Sequence, residues 1–196
     1  MSARRINAAR KQSKHEAILD AALSAFVERG FHGTAMPEVA RRAGVAAGTL
    51  YHYVSGKDAL VNEVFRRCKE SIARVVYTSF TPTAPPRAQF ESLWMAMVEF
   101  ALSNPKAFAF LELHNHESYL DSESRAMDRQ LKEFGAGFVR QAQQSGEVRD
   151  VEPMLLMELT FGAFNGMMRA HWEGRIALDQ RTLDDAREAA WRLIAA

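Results

Sequence analysis

Met36-Pro37-Glu38-Val39-Ala40-Arg41-Arg42-Ala43-Gly44-Val45-Ala46-Ala47-Gly48-Thr49-Leu50-Tyr51-His52-Tyr53-Val54-Ser55 is the stretch on which the fold turns. It reads as two short helices about a tight corner, a helix-turn-helix over about 35–54. A corner of this kind needs a backbone shape that a Cβ disfavours, and Gly44 stands there. Four residues earlier the helices cross closely, so only a small side chain fits, and Ala40 supplies it. Val39, Ala43, Val45, Leu50 and Tyr53 provide the apolar inner faces. Thr34 is expected to cap the first helix, with Pro37 in its first turn where a missing N–H is harmless. The second helix is expected over about 46–53. A plain helical hairpin with a glycine corner has the same spacing, so the flanking sequence has to discriminate.

Upstream, residues 14–29 put Ile18, Ala22, Ala25 and Phe26 on one helical face, with Leu19 and Leu23 beside it, and Gly30 ends the run. Downstream, Ser55 stands as the expected cap of a long helix over about 56–78, with Asp58 at its third position. That helix buries Val61, Phe65, Cys68, Ile72 and Val76. Pro82, Pro85 and Pro86 then break the pattern, and a domain boundary is placed near them. Further helices are expected over about 86–103, 105–117, 121–145, 153–173 and 181–195. No sustained alternation of apolar and polar residues marks a strand, so the fold is all-α.

Charge divides along the same line. Residues 1–80 hold 13 Lys and Arg against 7 Asp and Glu, whereas residues 81–196 hold 12 against 17. A basic front on an acidic body fits a front that meets a polyanion. Residues 1–14 carry Arg4, Arg5, Arg10, Lys11 and Lys14 with no acid, which suits either a solvated tail or an arm that contacts DNA. Arg41 and Arg42 are equally open between plain solvated charges and phosphate clamps. The single cysteine excludes a disulfide within the chain. With no apolar leader at Met1 and no run near the roughly 20 residues of a membrane span, a cytoplasmic location is expected.

The segments Gly30-Phe31-His32-Gly33-Thr34, Val39–Val45, Gly48-Thr49-Leu50-Tyr51-His52-Tyr53 and Lys57-Asp58-Ala59-Leu60 together resemble the N-terminal domain of the TetR family of transcriptional regulators. The resemblance covers about 12–72 and leaves 73–196 as a ligand-binding and dimerisation domain. It implies a three-helix DNA-binding head on a C-terminal helical bundle. It implies a homodimeric, sequence-specific regulator, a repressor released from operator DNA by a small, largely apolar ligand. A partner-driven or architectural DNA-binding protein with no such ligand is the alternative. The resemblance places Thr34 and Lys57 on phosphates and Tyr51 and His52 on backbone or bases. Ala46, Ala47, Gly48 and Thr49 complete the DNA-facing set. Where the family often has Ser and Lys, this chain has Ala46 and Ala47, whose methyls suit contact with thymine methyls. Gly48 allows close approach of the backbone, and Lys57 is placed about one turn into the long helix.

The helix at 153–173 is apolar on two opposite faces. Leu155, Leu159, Gly162, Gly166 and Ala170 form a small-residue stripe, expected to be a dimer seam completed by Leu183, Ala190, Leu193 and Ile194. Met157, Phe161, Phe164, Met168 and Trp172 form a bulky stripe suited to the core of the same subunit. Seven of the nine methionines lie beyond the proline cluster, among many aromatics. That composition suits an adaptable apolar pocket as well as an ordinary core. A pocket against the long helix is expected among Phe65, Ile72, Met97, Phe110, His114, Phe134, Phe164 and Met168. His114, Asn115, His116 and Glu117 follow an apolar run and read as a solvated helix end, or as partners for the polar end of a ligand. No cofactor or metal is expected. The Gly-rich phosphate loop, the Gly-x-Ser-x-Gly elbow and the His-Glu-x-x-His pair are all missing, which argues against an enzyme.

Overall fold

The computed structural model describes residues 3–113 and 118–196, and among these the only regular secondary structure is helical. In chain order the helices are α1 (Ala3–Gly33), α2 (Met36–Arg42), α3 (Ala47–Leu50), α4 (Lys57–Ser79), α5 (Pro86–Ser103), α6 (Pro105–Leu113), α7 (Ser122–Gln144), α8 (Pro153–Trp172) and α9 (Gln180–Ile194). None of the described helices is long and apolar enough to cross a membrane. The chain forms two compact units. The first comprises Met1–Glu70 with Asn104–Arg125, the second Ser71–Ser103 with Ala126–Ala196.

The first unit is built on α1, whose expected face is buried: Ile18, Ala22 and Ala25 are fully enclosed and Phe26 nearly so. Buried in the same unit are Val39 and Ala40 of α2, Leu50 of α3, Leu60, Val61, Val64 and Phe65 of α4, and Phe108 and Phe110 of α6. Truncating a fully buried Leu50 to Ala would cost about 2–5 kcal/mol, because the site cannot fully collapse around the void. Helix α1 begins earlier than expected, with residues 3–13 continuing it, and it breaks at Gly30 (φ 67°, ψ 177°). The chain then turns toward α2, and only a residue without a Cβ takes that φ readily.

The second unit is an α-bundle, within which the bulky stripe of α8 turns inward. Phe164 and Met168 are buried, and the Trp94 ring of α5 meets Phe164 edge-on at 5.2 Å. Helix α7 approaches α8 closely, since a Cβ on Gly135 would lie 2.8 Å from Met157 Cγ. Helix α9 lies against both α5 and α8, with Phe90 and Trp191 rings 5.4 Å apart. The chain end is tied back by an isolated bridge between Val148 and Ala195 and by Ala196 N donating to Glu147 O.

Several expectations are corrected here. Helix α3 is a single turn, continued only by turn hydrogen bonds to Val54 N, and does not extend as a helix to residue 53. The cap of α4 is Gly56, whose carbonyl accepts from Leu60 N, so Lys57 is the first helical residue and Asp58 the second. The proline cluster does separate α4 from α5, yet the compact units part between Glu70 and Ser71, inside α4. The reason is that α6 packs on α1 and draws Asn104–Arg125 into the first unit.

Candidate nucleic-acid interface

The corner of the helix-turn-helix is closed by backbone hydrogen bonds of the Schellman type. Gly44 N donates to Arg41 O (3.2 Å) and Val45 N to Ala40 O (3.0 Å), with Gly44 at φ +66°. The small residue at Ala40 is enclosed, as its place at the crossing requires. Leu50, fully buried, pins α3 from below, while Ala43, Val45 and Tyr53 are only half-buried. Val54, which the spacing did not single out, joins the core.

With Leu50 turned inward, the opposite side of α3 faces solvent. Ala46, Ala47, Gly48, Tyr51 and His52 are exposed, Tyr51 by 54%, and Thr49 is half-buried. No side chain caps α3, since Ala46 offers only its carbonyl to Thr49 N and Leu50 N. Its first N–H groups are therefore left to water or to an anion.

Thr34 departs from expectation. It is buried, and its hydroxyl donates to Gly30 O (2.8 Å) and Ala25 O (3.1 Å). The residue at the cap position of α2 is Ala35, without a side-chain cap. The hydroxyl thus closes the α1–α2 corner. The exposed cap expected at Thr34 fails because its hydroxyl is turned back to the Gly30 and Ala25 carbonyls of α1 and leaves the cap position of α2 to Ala35.

The arginines of α2 are engaged with acids. Arg41 grips Glu38 through two hydrogen bonds of 2.9 and 2.8 Å, and Arg42 bridges Glu38 (2.8 Å) and Glu28 (2.7 Å). Hydrogen bonds from both guanidinium groups hold the Glu38 carboxyl down at about 2. Arg41 still presents 72% of its side chain to solvent, whereas Arg42 presents 21%. Of the two, Arg41 is the more exposed.

Lys57 is held in a defined place. Its Nζ lies 4.4 Å from the centroid of the Phe31 ring and donates to His32 O at 3.4 Å. Phe31 stacks on Tyr119 with centroids 4.3 Å apart. Elsewhere in the unit α1 and α4 are tied by His15–Glu63 (2.8 Å) and by Arg67 to Glu16 and Asp20, and His15 stacks on Tyr53 of the turn that follows α3. Phe31, Tyr119 and His15 escaped the sequence reading. Phe31 lies inside a recognisable motif, but nothing local to Tyr119 announces its partner.

The expected pocket residues divide between the units. Phe65 and Phe110 lie in the core of the first, where Phe110 meets Phe26 at 6.0 Å. Ile72, Met97, Phe134, Phe164 and Met168 lie in the second, where Phe134 meets Tyr77 and Phe80 edge-on at 4.9 and 5.1 Å. His114, Asn115, His116 and Glu117 lie outside the described residues.

Of the expected seam, Leu155, Leu159, Gly162 and Gly166 are exposed, the two leucines by 49% each. Leu183 and Leu193 are half-buried. Ala170, Ala190 and Ile194 are corrected: they are buried within the chain, because α9 packs its own apolar face on α5 and α8.

Comparison with known proteins agrees with this geometry. Residues 18–64 match the family model described as bacterial regulatory proteins, tetR family. Residues 65–196 match the model described as tetracyclin repressor-like, C-terminal domain. The chain is 28% identical over 163 residues to the HTH-type transcriptional regulator UidR of Escherichia coli K12, spanning 74% of this chain and 76% of that one. The crystal structure of a tetR family transcription regulator from Shewanella sp. PV-4 superposes with a TM-score of 0.81 at 30% identity, covering 93% of this chain and 98% of that one. AibR, solved in complex with isovaleryl coenzyme A and operator DNA, shares the fold with a TM-score of 0.73 at 19% identity over 91% of this chain and 96% of its own.

Proposed function

The chain belongs to the TetR family of helix-turn-helix transcriptional regulators, and from that premise we propose that it works as a homodimeric repressor released from its operator by a small, largely apolar molecule. It is a regulator and not an enzyme. The observation that carries the DNA-binding half of this reading is the outward face of α3. A buried Leu50 fixes the helix, and Ala47, Gly48, Tyr51 and His52 stand free to enter a major groove. Lys57 supplies a phosphate contact beside it, which positions the protein without reading sequence.

A second copy of the chain is the proposed occupant of the α8 face formed by Leu155, Leu159, Gly162 and Gly166. Two heads are needed for two half-sites. Exposed leucines beside glycines let a partner helix approach closely and bury apolar surface. The effector is placed among Met97, Phe134, Phe164 and Met168 of the second unit, where methionine and aromatic rings can adapt to an apolar guest. That AibR, of the same fold, was solved with both an acyl thioester and operator DNA supports a fold able to hold both kinds of ligand.

In vitro selection from a random duplex library, followed by gel-shift titration, tests the reading. Lys57→Ala is expected to weaken binding to every sequence alike and to lower the salt slope of log K by about one unit. His52→Ala is expected to narrow the gap between the selected duplex and scrambled DNA. Met97→Trp is expected to abolish release by effector while leaving duplex affinity nearly intact. Unchanged affinity of both α3 and Lys57 variants would remove the DNA assignment.

A further inference from the structure

Phe31 and Tyr119 come from distant parts of the chain, yet their rings stack with planes only 17° apart. Lys57 Nζ sits over that stack, 4.4 Å from the Phe31 centroid. The segment carrying Tyr119 is itself held by the helix that Lys57 begins. Asn62, buried in α4, donates through Nδ2 to Tyr119 O (2.9 Å) and Asp58 O (2.8 Å), and its Oδ1 accepts from Asp121 N (2.8 Å). One turn further, Arg66 pairs with Asp121 at 2.9 Å, and Asp121 Oδ1 accepts from Ser124 N at 2.8 Å in the first turn of α7. All of these residues belong to the first unit.

We propose that Phe31 and Tyr119 are positioning residues for the phosphate contact of Lys57, which makes the segment 119–124 part of the DNA-binding apparatus. The proposal rests on the reading of Lys57 as a phosphate ligand. A lysine on a four-carbon stem loses rotamer freedom when DNA fixes it; one already seated on a ring face has less to lose. Tyr119 sets the plane of Phe31, and the ring face attracts the ammonium. An ammonium has three donors. One goes to His32 O, and the other two remain for phosphate oxygens. The second face of the device is Asn62, which satisfies both the Tyr119 carbonyl and the Asp121 amide, so displacement of the segment would break several hydrogen bonds together.

A double-mutant cycle on the full chain with the selected duplex decides the matter. Tyr119→Leu and Phe31→Leu are each expected to weaken binding about two- to fivefold, the size of a partly exposed cation–ring contact. Tyr119→Phe keeps the stack and is expected to bind like the parent. In the Lys57→Ala background, neither leucine change is expected to have any further effect. Equal losses in both backgrounds would mean general damage to the head and would overturn the proposal, as would unchanged affinity of both leucine variants. Lys57→Ala without effect would instead remove the phosphate reading, and the proposal with it. Thermal melts check folding; where Tyr119→Leu gives no cooperative melt, Tyr119→Met takes its place in the cycle.

Discussion

The Thr34 hydroxyl donates 2.8 Å to the carbonyl oxygen of Gly30, satisfying a backbone acceptor at the break in α1 and fixing the angle at which the chain enters the helix-turn-helix. Thr34→Val keeps the shape but removes the hydroxyl donor to the Gly30 and Ala25 carbonyls at this buried residue. It is expected to cost about 1–3 kcal/mol in urea denaturation. Thr34→Ser should recover most of that loss. A valine variant as stable as the parent would show that the hydroxyl contributes nothing at this corner.

Glu38 gives the head an acid sensitivity of defined sign. Its carboxyl is held at about 2 by Arg41 and Arg42, below the ordinary unfolded value of about 4.3. The stability it contributes is therefore fully present above the unfolded value and is lost as pH falls toward 2. The difference in stability between the parent and Glu38→Gln should be constant from neutral pH down to about pH 5 and shrink below it. A difference that stays level through the acid range would contradict the pairing.

Cys68 should be unreactive in the folded protein. Burial pushes its thiol up to about 11, so thiolate is scarce at pH 8. Alkylation by iodoacetamide at that pH is expected to run on the order of 100-fold slower than in urea-unfolded chain. Comparable rates in the two states would show that the α4 face opens readily.

Gly166 offers a clean separation of folding from assembly. It is exposed on α8, and a Cβ built there meets nothing within 4 Å in its own chain. Gly166→Leu should thus leave the thermal melt of the isolated chain almost unchanged while preventing close approach of a second α8. Sedimentation at micromolar concentration is expected to give monomers with weakened operator binding. An intact dimer would move the interface off this face.

The helix-turn-helix corner was legible because its requirements are local. Gly44 must take φ +66°, Ala40 must be small where two helices cross, and Leu50 must lie opposite Tyr51 and His52, all within the sequence stretch 40–52. The same locality made the buried face of α4 and the bounds of α5 readable from periodicity and proline alone. The tertiary structure decided what depends on partners far along the chain. Thr34 looks like an exposed cap until the end of α1 folds back to claim its hydroxyl. Ala190 and Ile194 look like a seam until α9 lies on α5 and α8 and encloses them. Sequence marks Lys57 as a charge at the start of α4, but only the folded chain sets Phe31 and Tyr119 beside it, on α1 and on a segment that Asn62 holds in place. Spacing fixes which residues share a face, because helix geometry is set by neighbours three and four apart. What that face meets is settled only when the chain closes on itself, since burial and hydrogen bonding depend on distance in space and not along the sequence.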